Sequence, residues 1–461
     1  MVKSKNRELE SPRRSSFAPV TRQHWDEKLT RDLKGVTAAD LSWTDVAGIE
    51  IDALYDQAHP EVNGGLEGLA SSWQVCVLIE DPEPKNALQS ALDAGQGGAE
   101  AITLRLSDSE HGRGVKFADS AALQTFCDAV AEAGLEVHLD GPLGVLALKD
   151  AVHSASSAGI DPLRALAQGC SESAYENALK LALDSVEEVI QGESSTPLTI
   201  DSSFYHGAGA SHALELGLSL ASCVQMVREA YGRGLKPADV TRLTTLRMAV
   251  GTDFFGSIAK LRAARLCWNR LCEVFDVDSR CVLHALPSEL HETVRGQWVN
   301  TLRNTAYCFA GAVAGVDRMT LLSHEHPVGV GDALGHRIAR NTQLVLRLES
   351  GLDLVKDPAA GSYYLEELTE ELGRKAWAFF QAIEGQGGMR RALASGWVAR
   401  EIGANRERRT ADVHSKDSPI LGVSLFPDPS EEQVSPPAKR ESQGNVVKAR
   451  PLSFDVKGEG A

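Results

Sequence analysis

Between residues 66 and 410 the chain alternates short apolar runs with longer stretches of helical period. Trp73–Ile79 (WQVCVLI), Ala101–Leu106 (AITLRL), Glu136–Leu139, Leu198–Ser202, Cys281–Leu286 (CVLHAL) and Arg318–Leu322 (RMTLL) read as strands bounded by polar or glycine-containing joints. Weaker strand patterns lie near 143–149 and 254–260. Between them, Ala121–Ala133 places Leu123, Phe126 and Val130 on one helical stripe, and Asn177–Ile190 does so with Leu179, Leu183, Val186 and Ile190. Ser211 is placed to cap a helix carrying Leu214, Leu218, Val224 and Val227, which stops at Gly232, Gly234 and Pro237. Helical segments at Thr342–Leu348 and Leu365–Ile383 close the series. Strands alternating with helices give a parallel sheet with helices outside. About eight strands favour an α/β fold of the (β/α)8 TIM-barrel type. An open doubly wound sheet is the alternative, but EDPEPKN after the first strand lacks the glycine fingerprint of a dinucleotide site.

The ends differ from this body. Residues 1–20 are polar, with Pro12 and a Ser15–Ser16 pair, and are expected to be disordered. Residues 21–65 form an N-terminal arm, and 411–461, rich in Pro, Ser, Lys and Glu, read as a flexible tail. The chain has 47 Lys and Arg against 63 Asp and Glu, a net charge of -16. That excludes the concentrated positive footprint of a nucleic-acid binder and the polybasic patch of a membrane-surface protein. No apolar run of about 18 residues is present to span a bilayer, and the charged N-terminus has no apolar stretch of a secretory signal behind it. None of the 8 cysteines forms a Cys-x-x-Cys pair, so they read as reduced core residues of a cytoplasmic protein.

The most chemically loaded segment is Ile200–Ala210 (IDSSFYHGAGA). A strand ends there in Ser202, Ser203, Tyr205 and His206, at the mouth where barrel enzymes carry catalytic groups. Tyr205 and His206 are therefore the candidate catalytic pair, for proton or hydrogen-bond work. The competing reading is that small residues here only let the backbone turn. His324-Glu325-His326 follows a strand and could contribute to a zinc site, as could His284 and His291, though each needs ligands from elsewhere. GVGDALG (329–335) and GAGASH (207–212) miss the spacing of phosphate loops and read as loop glycines. Asp412-Val413-His414 matches the start of Asp-x-His-x-x-Gly, a cobalamin-ligating motif, but the sixth position is Asp417 and too little chain follows for another α/β domain.

Several blocks together resemble the methylmalonyl-CoA mutase family. Phe254-Phe255-Gly256-Ser257-Ile258-Ala259-Lys260-Leu261-Arg262-Ala263-Ala264-Arg265-Leu266-Cys267-Trp268 looks like its strand-six segment. Arg337-Ile338-Ala339-Arg340-Asn341-Thr342-Gln343-Leu344 is similar to one of its helices, and Asp357-Pro358-Ala359-Ala360-Gly361-Ser362-Tyr363-Tyr364 to one of its loops. Tyr205-His206-Gly207-Ala208-Gly209-Ala210-Ser211 with Glu215-Leu216 fits too. The opening, with Trp25, Leu33-Lys34-Gly35, Gly48-Ile49 and Tyr55, looks like the arm of the family's small subunit.

The resemblance implies a barrel threaded by an acyl-CoA, an adenosylcobalamin held on a separate flavodoxin-like domain, and radical interconversion of methylmalonyl-CoA and succinyl-CoA. It also implies heterodimers of one catalytic and one inactive chain. This sequence departs from the catalytic pattern. No counterpart exists for the Arg-Ala-Thr-Met-Tyr segment that clasps CoA, and Tyr205-His206 is followed by Gly207 alone where catalytic chains place three residues. The family's catalytic histidine role is therefore not carried onto His206. The expectation is a structural small subunit, inactive alone, that binds neither adenosylcobalamin nor a metal, and whose large catalytic partner supplies the cofactor and the acyl-CoA site. A catalytic barrel with its cobalamin module on a separate chain is the first alternative. A barrel with a metal site at His324 and His326 is the second.

Overall fold

The computed structural model describes residues 20–56, 66, 68–107, 113–192, 196–428 and 446–455. The N-terminal arm contains α1 (Arg22–Asp32), α2 (Ala38–Leu41) and a short antiparallel pair, β1 (Trp43–Thr44) and β2 (Glu50–Ile51). Thr21 and Thr37 cap the two helices through their hydroxyls. The body then runs β3 (Gln74–Ile79), α3 (Pro84–Gln96), β4 (Ala101–Arg105), α4 (Ser120–Glu132), β5 (Glu136–Asp140), α5 (Pro142–Ala147), β6 (Ser157–Ile160), α6 (Pro162–Ala167) and α7 (Glu172–Ile190). It continues with β7 (Thr196–Asp201), α8 (Ser203–Ala208), α9 (His212–Tyr231), α10 (Pro237–Thr241), β8 (Thr244–Val250), α11 (Phe254–Phe275), β9 (Val282–Pro287), α12 (Val299–Val313) and β10 (Arg318–Leu321). Four helices follow: α13 (Ala333–Leu344), α14 (Tyr363–Gly385), α15 (Met389–Ala394) and α16 (Trp397–Ser415).

The strands β3 to β10 close into an eight-stranded parallel barrel. β10 returns to β3 with Arg318 opposite Gln74 and Leu321 opposite Val77. The (β/α)8 expectation holds, and the reason is in the side-chain alternation. Val77, Ile79, Ile102, Leu104, Val137 and Leu139 face outward into one apolar cluster beneath the helices. Leu246, Met248, Leu283, Ala285, Met319 and Leu321 do the same in a second cluster. Burying both faces lets each strand carry polar residues at the alternate, axis-facing positions only if those residues pair with one another. No helix of the described residues is long and apolar enough to cross a membrane. All 8 cysteines are free thiols, and all but Cys170 are buried.

The structure corrects the reading in several places. The weak strand patterns at 143–149 and 254–260 are helical. Pro142 opens α5, and Asp253 caps α11 by accepting from the Gly256 N–H. The segment Phe254–Trp268 thus follows the sixth barrel strand rather than forming it. Two strands, β6 and β8, were not expected: β6 is small residues (SAGI), and β8 carries Arg247 in mid-run. Residues 411–415 complete α16, and 446–455 pack on the barrel, so part of the expected tail is ordered. Val447 and Leu452, 4% and 3% exposed, supply the anchoring apolar contacts. The expected disorder of 1–20 falls, but for residue 20, outside the described residues, as do 57–65 of the arm and 429–445 and 456–461 of the tail.

Candidate functional site

The barrel axis is filled by side chains. His138 Nε2 bonds Gln74 Oε1 (3.2 Å), His284 Nε2 bonds Thr320 Oγ1 (2.8 Å), and Thr320 meets Thr103 across the axis at 3.0 Å. The two imidazoles face each other edge to face at 6.4 Å. Burial, reinforced by the Arg247 and Arg318 cations, pushes both histidines well below the ordinary imidazole range, so both are neutral.

Above this layer, at the C-terminal ends of the strands, lies an ion-pair network. Arg247 Nη1 reaches Asp140 (2.9 Å) and Asp201 (3.5 Å), and Arg164 Nη1 joins the same two carboxylates at 2.6 and 2.7 Å. Arg105 bridges Asp140 (3.1 Å) and Glu80 (2.8 Å). Burial pushes the Asp140 carboxyl up, but Arg164, Arg247 and Arg105 outweigh it and hold it well below the usual carboxylate range. Asp161, which accepts the Arg164 and Asp201 N–H groups at the rim, is raised to about 6 by burial.

The chain's own residues 446–455 lie over this mouth. The Val447 N–H donates to Ala167 O (2.9 Å) and the Arg450 N–H to Gly207 O (3.2 Å). Arg406 of α16 clamps the segment through Asp455 (2.6 Å) and the Pro451 and Arg450 carbonyls (3.0 and 3.2 Å).

Tyr205 and His206 are where expected, in α8 just past β7, and both are buried. They do not act as a pair here: the Tyr205 hydroxyl has no partner, whereas His206 Nδ1 bonds Ser288 Oγ at 2.7 Å. His206 instead joins a second cluster. Its ring stacks on His212 (5.2 Å, 21°) and meets His291 edge-on at 6.0 Å. His212 Nε2 lies 3.3 Å from Asp253 Oδ2. Beside them, Glu215 and Lys260 form a fully buried ion pair, with Glu215 Oε1 accepting the Ala249 N–H (2.7 Å) and Lys260 Nζ donating to Ala249 O (2.7 Å). The reading from sequence missed His212, Glu215 and Lys260 as members of one cluster. The available signal was that His206, His212 and Glu215 flank one tight turn.

The other candidates separate. His324 stacks on Trp298 at 4.1 Å, while His326 donates from Nδ1 to Glu292 at 3.0 Å and nears Arg105 and Arg113 through Nε2. Burial lowers His326, but Glu292 and Glu80 more than reverse it, leaving it raised and tied into the mouth network. His284 points into the axis and His291 into the His206 cluster. Gly331 and Gly335 are packing glycines, since a Cβ at either would collide with Ser323 Oγ. Ser202 and Ser257 bond backbone groups, Arg247 O at 3.2 Å and the Gly251 N–H at 3.1 Å.

Two of the resemblance blocks meet directly. Arg262 of α11 is buried against Asp357 and Glu366, tying the Asp357–Tyr364 loop and α14 to the barrel wall. Lys260 of the same helix ties it to Glu215. Residues 156–452 match the family described as methylmalonyl-CoA mutase. The methylmalonyl-CoA mutase small subunit of Streptomyces virginiae is 34% identical, covering 95% of this chain and 75% of that protein. The chain belongs to the methylmalonyl-CoA mutase family. Small subunits from Propionibacterium freudenreichii subsp. shermanii (30% identical, 89% and 69% covered) and Porphyromonas gingivalis (26%, 95% and 75%) are further relatives.

Membership raises the question of the family's corrin cofactor. His414 lies in the last turn of α16, exposed, with Nδ1 bonded to the Thr410 carbonyl at 2.8 Å. Asp412 and His414 therefore belong to a continuous helix rather than to a loop presenting an imidazole, and this pair does not fit a lower-ligand site.

Proposed function

We propose that this chain is a structural, non-catalytic small subunit of an adenosylcobalamin-dependent acyl-CoA mutase, pairing with a larger catalytic chain that holds both corrin and substrate. The complex would interconvert methylmalonyl-CoA and succinyl-CoA. One observation carries the reading: Arg247, His138 and His284 occupy the barrel axis. A thioester arm threaded along that axis needs small inward side chains. Here it would displace a guanidinium held by two buried carboxylates, and breaking such a pair costs about 3–5 kcal/mol. The segment 446–455 across the mouth adds a second obstruction.

The test is co-expression with a full-length catalytic mutase chain. A 1:1 complex is expected, with turnover present in the complex and absent from this chain alone when supplied with adenosylcobalamin and methylmalonyl-CoA. Tyr205→Phe removes an unpartnered hydroxyl, so the fold should tolerate it and turnover of the complex should stay within about twofold. If the isolated chain turned over once given a free cobalamin module, and Tyr205→Phe abolished that turnover, the split catalytic barrel would replace this reading.

A further inference from the structure

We propose that His206, His212 and Glu215 form a binding site for one divalent transition-metal ion of the zinc class, at the turn where β7 passes through α8 into α9. One potential ligand atom from each lies within 4.8 Å of the others, and all three residues are buried. Imidazole nitrogen and carboxylate oxygen are the donors such an ion takes, at about 2.0–2.2 Å, and small ring rotations close the remaining gap.

The orientation of the rings is the second observation. His206 uses Nδ1 on Ser288 Oγ (2.7 Å), and its Nε2 is buried with no partner. His212 uses Nε2 on Asp253 (3.3 Å), and its Nδ1 is buried with no partner. Each ring is thus fixed by one nitrogen and leaves the other lone pair idle, which is how outer-shell hydroxyls and carboxylates orient metal-binding histidines. His206 and His212 are 0% and 4% exposed, so water does not readily satisfy these atoms. A buried polar atom left unpaired is costly, and this cluster carries several. His291, edge-on to His206, carries another buried nitrogen without a hydrogen-bond partner, Nδ1, beside the group of three. Gly251 keeps the adjoining space open: a Cβ there would lie 3.0 Å from His291 Nδ1 and 3.6 Å from His206 Cε1.

The local charge is mixed: the Glu215 carboxylate favours a cation, and the nearby Lys260 and Arg409 side chains oppose one. Lys260 is the present counter-charge for Glu215, and a divalent ion would share or replace it. The site lies apart from His324 and His326, whose surroundings are Trp298 and the Glu292 carboxylate.

The experiment uses the full chain, stripped with chelator and titrated with Zn2+ alone, followed by Co2+ as an optical reporter. One equivalent of Zn2+ should survive desalting, and Co2+ should give visible bands of low-symmetry nitrogen and oxygen coordination. His212→Ala should abolish retention. Ser288→Ala, which leaves all ligands in place, should weaken binding about 10–100-fold while the circular-dichroism melt still shows a folded protein. His324→Ala should change nothing. Less than one-tenth equivalent bound by the folded wild-type chain, or equal binding by the folded His212→Ala and Ser288→Ala variants, would overturn the site. Neither result bears on the subunit reading, which concerns the barrel axis.

Discussion

His138 and His284 sit in the axis, where burial first and the Arg247 and Arg318 cations second disfavour a proton on either ring, although Glu136 lies 3.5 Å from His138 Nε2. Their folded-state pKa values lie well below the unfolded value of 6.5. Below pH 6.5 the unfolded chain therefore binds protons that the folded chain refuses. Stability contributed by these two groups is complete above the unfolded value and declines as pH falls beneath it. A tenfold difference in a group's proton affinity between the two states is worth about 1.4 kcal/mol. Asp161 works the other way: raised to about 6, it favours the folded state at acid pH and loses that contribution as pH rises toward 6. The buried imidazoles of His206, His212 and His291 are depressed too and act in the same direction as the axis pair, outnumbering the raised Asp161 and His326. The melting temperature should drop on going from pH 7.5 to 5.5, and the double variant His138→Gln/His284→Gln should show a smaller drop. A melt that is unchanged or higher at pH 5.5 would contradict the neutral, filled axis. The identity of these residues was visible in the sequence, but their role was not. In the run CVLHAL a histidine reads equally well as a core residue or a ligand, and only barrel closure brings it within hydrogen-bond reach of Thr320.

At the scale of elements, pattern predicted what burial on one face dictates and missed what pairing dictates. The stripe of Leu123, Phe126 and Val130 identifies α4, and Ser211 caps α9 by accepting the Leu214 N–H, both as the sequence implies. β6 and β8 were missed because a polar axis removes the apolar signature: Ser157, Thr245 and Arg247 are buried among residues from distant strands. The segment 446–455 was missed for the same reason, since its anchor, Arg406, lies on a different element. That anchor makes a testable claim. Arg406→Ala removes the bond to Asp455 and those to the Pro451 and Arg450 carbonyls. Each lost bond of this kind is worth about 1 kcal/mol, and more where the partner is charged. Amide hydrogen exchange across 446–455 should accelerate at least tenfold, while β7 and β8 keep their protection. Uniform acceleration across the barrel would mean that the segment is part of the global folding unit rather than a separately held strap.

For the molecule as a whole, what matters is that a barrel wall built to this family's plan encloses a solid axis. The outer clusters, the Arg262–Asp357 tie and the Lys260–Glu215 tie preserve the wall, whereas the interior positions carry paired charges and imidazoles. Family membership was legible because the ties lie in contiguous blocks of sequence. The state of the axis was not, because its residues are contributed one or two at a time by strands far apart in the chain. A solid axis has a direct consequence for ligand binding. A ligand that binds only the folded state at one hundred times its dissociation constant stabilises a protein by about 2.7 kcal/mol, and about 1 kcal/mol moves the melting point of a domain of 150–250 residues by roughly 2–4 °C. A saturating acyl-CoA should therefore raise the melting temperature of a catalytic chain by several degrees and leave that of this chain unmoved. In the proposed 1:1 complex, equilibrium dialysis should find one acyl-CoA for every two barrels. Two equivalents, or a several-degree shift for this chain alone, would mean that Arg247 and the two histidines move aside for substrate and that the axis is a gate rather than a core.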